Sequence, residues 1–314
     1  MIKEIDFYGY RSFVISSGPL ELTLTEYGAT ALSLKRDGKE MLVGFDTLDD
    51  YERSGAFVGA IVGRWANRIG GASFELNEED FELTANEGKN CLHGGDKGGP
   101  WNKRRWIASP DGEDRISFSL YSPDGDNGFP GAISVRVTYS LLPDRMRIDF
   151  TGVSNRDTYF CPTSHIYFSL GEENILGAQI QINASGHLEV DDELIPTGKI
   201  LPTENDFYFN IPRTIERDYD DCFVLSGEPA CTVSTENVKL SLYTDYPALQ
   251  FYTGKFLDCG LAPNAGLAIE PQFYPDTPNR PEFPDAELHA GVLFSKYAEF
   301  VFEEDAEAAE EKEE

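Results

Sequence analysis

The chain has 314 residues, 40% of them apolar and 12% aromatic, enough apolar material for a large core. With 55 acidic against 26 basic side chains its formal charge is −29, so a phosphate backbone or an anionic membrane surface repels it. That balance excludes nucleic acid and membrane as partners, and five cysteines, odd in number and without a Cys-x-x-Cys pair, indicate neither a disulfide framework nor a zinc ribbon.

The chain opens with Met1-Ile2-Lys3-Glu4-Ile5-Asp6, charged where a secretory signal needs an apolar run, and no segment approaches the ~20 apolar residues that span a bilayer. A soluble, cytoplasmic protein in a reducing compartment is expected. Period-two alternation then recurs: Leu20, Leu22 and Leu24; Ile116, Phe118 and Leu120; Ile133 through Leu141; Met146, Ile148 and Phe150; Val238, Leu240 and Leu242. Asp37-Gly38, Asp111-Gly112 and Asp124-Gly125 supply the positive φ of tight connections between such strands. Helical periodicity is nearly absent. The expected fold is therefore all-β, a large single-domain antiparallel β-sandwich over residues 1–302, followed at 303–314 by an acidic tail read as disordered and solubilising.

Four histidines limit where acid-base chemistry near neutral pH can sit. In chain order, the first unusual segment is Gly63-Arg64-Trp65-Ala66-Asn67-Arg68-Ile69-Gly70-Gly71, which lacks the lysine of a phosphate loop and the helix of a dinucleotide site. Taken alone it reads as a surface arginine cluster. Next, Leu92-His93-Gly94-Gly95 sets an imidazole beside residues without side chains, where a ligand can approach closely. His165 lies in the mostly apolar run Phe160 to Phe168, as either a satisfied core residue or an acid-base group.

Asp220 and Asp221 precede an apolar strand and are either solvated or functional. Glu270 closes the apolar strand Leu267-Ala268-Ile269-Glu270, where burial is costly and raises a carboxyl pKa; it is either a base or an ion-pair partner of Arg68 or Arg280. His187 and His289 have ordinary polar surroundings and read as structural. No histidine or cysteine spacing suits a metal, and Cys161 with His165 lacks the geometry of a nucleophile pair.

Taken together, Gly63 to Ile69, Asn90-Cys91-Leu92-His93-Gly94-Gly95, Ser164-His165-Ile166-Tyr167-Phe168-Ser169-Leu170 and Glu270-Pro271-Gln272 resemble the aldose 1-epimerase (galactose mutarotase) family. Gly128-Phe129-Pro130-Gly131, Val137-Thr138-Tyr139, Leu194 to Gly198 and Pro275 to Asn279 extend the resemblance over nearly the whole chain. It implies a galactose mutarotase-like β-sandwich that interconverts the α and β anomers of a free monosaccharide, such as galactose or glucose, as a monomer or homodimer. It further implies His165 as general acid, Glu270 as general base, and Arg68, His93, Asp220 and Asn67 as sugar-binding groups, with no cofactor and no metal. A carboxylate beside His165 is expected to favour the charged imidazole.

The family often has asparagine where Ser164 and Ser169 stand and histidine where Asp221 stands, which leaves the choice between Asp220 and Asp221 open. A hexose-phosphate epimerase and a non-catalytic carbohydrate-binding protein are the rivals within the fold. The first needs extra cations for the phosphate; the second needs no acid-base pair.

Overall fold

The computed structural model describes residues 2–303. Strands dominate, and the one α-helix among the described residues is Leu48–Arg53, capped by the Thr47 side chain accepting from the Asp50 amide. Among the described residues the strand ladders are antiparallel, in a nine-stranded, a six-stranded and a five-stranded sheet with several two-stranded pairs besides. The expected architecture is the observed one.

Alternation explains the layers. In Ile133–Leu142 every odd position is buried, and the partners Arg145–Ser154 and Leu293–Glu303 continue the same inner face through Met146, Ile148, Phe150, Ala298, Phe300 and Phe302. Phe13, Ile15, Leu22 and Leu24 of the five-stranded sheet and Phe223, Leu249, Phe251 and Ile269 of the six-stranded sheet meet them in one core. Each such side chain contributes ~1.5–3 kcal/mol by leaving water. Tyr139 Oη, fully buried, donates to the Ala29 carbonyl and so is not left unpaired.

Asp37 and Gly38 both have positive φ and join Arg36 to Lys39 in a two-residue hairpin, as their sequence indicates. The last strand ends at Glu303, one residue past the expected boundary, because Arg36 holds the Glu303 carbonyl and Lys239 lies opposite Glu303 across the ladder. The rest of the acidic tail, residues 304–314, lies outside the described residues.

The six-stranded sheet positions the site. Its order is Tyr167–Phe168, Leu267–Gln272, Ala248–Tyr252, Asp220–Leu225, Ala184–Val190 and Pro196–Leu201. Register sets Gln250 between Glu270 and Cys222, and Tyr252 between Ala268 and Asp220. One face therefore carries Phe223, Leu249, Phe251 and Ile269 into the core, and the other presents Tyr167, Asp220, Gln250, Tyr252 and Glu270 together.

Candidate active site

These five side chains floor a cavity of about 300 Å³. Asn67, Arg68, Glu87, Leu92 and His93 close one side of it, and Ala56, Phe57 and His165 another. The apolar run Phe160 to Phe168 is not one continuous strand but is interrupted at His165. Thr163–Ser164 pairs with Ile61–Val62 and Tyr167–Phe168 with the Leu267 strand, so the chain changes partners at His165 and turns the imidazole into the cavity. Two backbone bonds fix that crossing: the His165 amide donates to Ala60 O at 2.8 Å, and the Gly59 amide donates to His165 O at 2.9 Å.

His165 Nε2 stands 3.7 Å from Glu270 Oε1, and both side chains are nearly fully buried. Glu270 lies inside its strand rather than at the end, with Pro271 and Gln272 still paired. It pairs with neither arginine considered for it: Arg280 engages Asp276, and Arg68 grips Glu87 through Nε at 2.6 Å and Nη2 at 2.8 Å. Burial pushes the Glu270 carboxyl well above its usual range, with the Asp220 charge adding to this and Arg68 opposing it. Burial also pushes the His165 imidazole down to about 4. The expectation that the carboxylate would keep the imidazole charged is thus reversed, because desolvation of both groups outweighs their attraction.

The second wall is a hairpin in which Leu92 lies opposite Arg68. His93 Nδ1 accepts from the Asn67 amide at 3.2 Å, which leaves Nε2 as the protonated nitrogen of a neutral ring. Burial, with His165 and Arg68 close by, holds this imidazole well below its ordinary value, so His93 is a neutral donor. Asn67 turns its Oδ1 onto the Arg68 amide at 2.8 Å and thereby orients the arginine.

Asp220, not Asp221, faces the cavity. Its Oδ1 accepts from Gln250 Nε2 at 2.6 Å and its Oδ2 lies 4.0 Å from Arg68 Nη1. Asp221 alternates to the opposite face, where burial raises its carboxyl to about 6. The surface-cluster reading of the arginines fails as well. Arg64 is buried and donates to the carbonyls of Pro130, Gly131 and Pro123 and to Ser122 Oγ, a structural role, and Arg68 is buried in the cavity wall.

His187 stacks on Phe207 at 3.9 Å and exposed His289 faces Glu287 at 3.1 Å; neither lines the cavity. Ser164 and Ser169, where the family pattern often has asparagine, do not line it either.

The model of the family described as Aldose 1-epimerase matches residues 11–300. The chain belongs to the aldose 1-epimerase family. It is similar to the aldose 1-epimerase of Haemophilus influenzae, 36% identical over 90% of this chain and 92% of that protein, and to the galactose mutarotase of Sus scrofa, 32% identical over 92% and 93%. Among solved structures, an aldose epimerase homologue from C. elegans aligns with a TM-score of 0.88 at 28% identity, over 97% of this chain and 99% of that one. The galactose 1-epimerase of Lactobacillus acidophilus gives 0.87 at 26%, over 97% and 98%. As a member of the aldose 1-epimerase family, the protein is an enzyme of the isomerase class.

Several lining residues of this epimerase carry no sequence signal of their own. Glu87 sits in an ordinary polar loop and Phe57 in a glycine-rich run. Gln250 is different: a lone amide in Ala248-Leu249-Gln250-Phe251-Tyr252 shows the same polar-in-apolar signal that singled out Glu270. Its Oε1 and Glu270 Oε2 are buried without a hydrogen-bond partner, which leaves both free to meet a ligand.

Proposed function

We propose that this cavity interconverts the α and β anomers of a free aldose such as galactose or glucose, with His165 as general acid and Glu270 as general base. The observation that carries the reading is the buried His165–Glu270 contact at 3.7 Å inside a cavity of monosaccharide size, lined by Arg68, His93 and Asp220. The oxygens that must exchange protons, O1 and the ring oxygen O5, are both bonded to C1. An acid and a base side by side can reach both.

Opening proceeds from the form of the pair in which His165 carries the proton and Glu270 is ionised. Glu270 takes the O1 proton as the C1–O5 bond breaks and the aldehyde forms, and His165 delivers its proton to O5. After rotation about C1–C2, O5 adds to the other face of the aldehyde. Its proton returns to His165, and protonated Glu270 restores the proton to O1. One proton on the pair is conserved, and no redox or metal chemistry is called for. Positioned transfer of this kind is worth ~10²- to 10⁴-fold. Neutral His93 donates to a sugar oxygen, Arg68 and Asn67 orient hydroxyls, and Asp220, aligned by Gln250, accepts from them.

A free sugar fits better than a sugar phosphate. Of the residues lining the cavity Arg68 alone is cationic, and Glu87 and Asp220 already face it. A dianion would meet more negative than positive charge. We read residues 1–302 as one domain and place the protein in the cytoplasm, where its five cysteines stay as thiols. No helix among the described residues is long and apolar enough to cross a membrane.

Polarimetry of freshly dissolved α-glucose and α-galactose tests the proposal. Acceleration over buffer that vanishes in Glu270→Gln is expected. Sugar binding without acceleration would replace this reading with a carbohydrate-binding one.

A further inference from the structure

Phe57 occupies a costly place. Its φ is 54°, in the left-handed region that bulky side chains rarely adopt. Glycine is free to take that conformation, and glycines flank this segment at 55 and 59. An aromatic ring held where glycine would sit more easily points to work done by the ring.

The surroundings show what that work is. The Phe57 ring stacks on His165, 5.8 Å between centroids and 28° between planes, and meets His93 edge-on at 4.6 Å. His93 and His165 are themselves 5.3 Å apart, so three rings form one cluster on the cavity wall. Tyr167 lies against His165 at 4.9 Å. The loop beneath is tied down at both ends: Tyr167 Oη donates to Ala56 O, the Ala60 amide donates to Phe57 O, and the Asp258 carboxylate accepts from Ser54 Oγ and the Gly55 amide. The loop has little freedom to carry the ring away.

We propose that Phe57 is a positioning residue that fixes the plane of the His165 imidazole toward Glu270 and shields it from water. The inference rests on the acid role proposed above for His165. A half-buried phenyl cannot exchange protons, but it removes rotational freedom from the imidazole, and a misplacement of ~1 Å at a reacting group costs about 10²-fold in rate. Its apolar face is part of the burial that keeps His165 low. The titratable or charged groups facing His165 from the neighbouring elements are Glu270, His93 and Tyr167, with Arg68, Asp220 and Tyr252 around them. None of these is altered when Phe57 is replaced.

The test is Phe57→Gly, with Phe57→Leu and Phe57→Tyr beside it. Steady-state mutarotation is measured with α-galactose, and His165 is titrated by NMR of the imidazole ring. In Phe57→Gly turnover is expected to fall by about tenfold or more. The His165 midpoint rises from about 4 toward the ordinary 6.5 as water reaches the ring. Phe57→Leu, apolar but without a flat face, keeps the low midpoint and still loses turnover, and Phe57→Tyr restores both. Native turnover with an unmoved midpoint in Phe57→Gly, a change confined to KM, or full turnover in Phe57→Leu would each overturn the inference. Should the native protein fail to accelerate mutarotation, the proposed function falls, while the titration still reports whether Phe57 shields the imidazole.

Discussion

His165 Nε2 and Glu270 Oε1 face each other at 3.7 Å with both side chains out of water, and burial drives their proton affinities apart, the imidazole down to about 4 and the carboxyl up. Two groups this close titrate as a pair. The pair holds one proton from about pH 4 upward until the raised carboxyl gives it up, and one proton is what both opening and closure require. The pH profile of kcat/KM, net of the buffer rate, is therefore expected to stay level through pH 6.5 and to fall on its acid side only near pH 4, where His165 and Glu270 are both protonated. A midpoint at 6.5, the value of an ordinary histidine, would contradict the buried pair.

The same burial makes Glu270 a cost to the fold. Its folded pKa lies above the unfolded value of 4.5, so its contribution to stability is fully present below pH 4.5 and is lost as pH rises through the folded pKa. Glu270→Gln, an isostere of the protonated acid, removes that loss. The variant is expected to be inactive, with turnover down by ~10²-fold or more, and more stable at neutral pH by about 1 kcal/mol. Thermal unfolding at pH 4.5 and pH 7.5 checks it. The gain over the native protein must grow with pH, and a gain independent of pH would point to packing instead.

Arg64 and Arg68 lie four residues apart and separate cleanly in what they hold. Arg64 satisfies four backbone carbonyls and a serine hydroxyl in the interior, so Arg64→Ala leaves buried acceptors unpaired and is expected to cost about 3 kcal/mol or more in urea unfolding. Arg68 is a forked partner of Glu87 beside Asp220, on the cavity wall. Arg68→Ala is expected to raise KM about tenfold, with a smaller loss of turnover. Arg68→Lys does not restore binding, because an ammonium cannot reproduce the two-pronged contact. Unfolding of Arg68→Ala on the scale expected for Arg64→Ala would move Arg68 out of the binding site.

How much of this was legible in the sequence depends on the length scale of each signal. Alternation in Ile133–Leu142 and the Asp37-Gly38 turn are local, and both elements formed where the pattern put them. Glu270 stood out as one charge in an apolar strand, a local signal too. The partnership of His165 with Glu270 is not local, and it came from the family resemblance, as did the choice of Arg68 and His93. What could not be read is side-chain direction. Arg64 and Arg68 have the same composition around them, yet one points into the core and the other into the cavity. Asp220 and Asp221 are separated only by which face of the strand each meets. Phe57 and Glu87 gave nothing to read, because their roles exist only once the loops close over the sheet.

Charge around the cavity also limits what it can accept. Glu87 and Asp220 outnumber the single guanidinium of Arg68, and the chain as a whole is strongly acidic. A phosphate on the sugar would approach against this field and find no unpaired cation in the lining. A panel of galactose, glucose, arabinose, xylose and glucose 6-phosphate, followed by polarimetry, is expected to give kcat/KM for the phosphate at least about tenfold below glucose, equivalent to ~1.4 kcal/mol. The gap narrows as salt is added, because screening weakens the repulsion felt outside the cavity. Faster turnover of glucose 6-phosphate than of glucose would instead require a cationic contact beyond Arg68, and would move the protein to the hexose-phosphate reading.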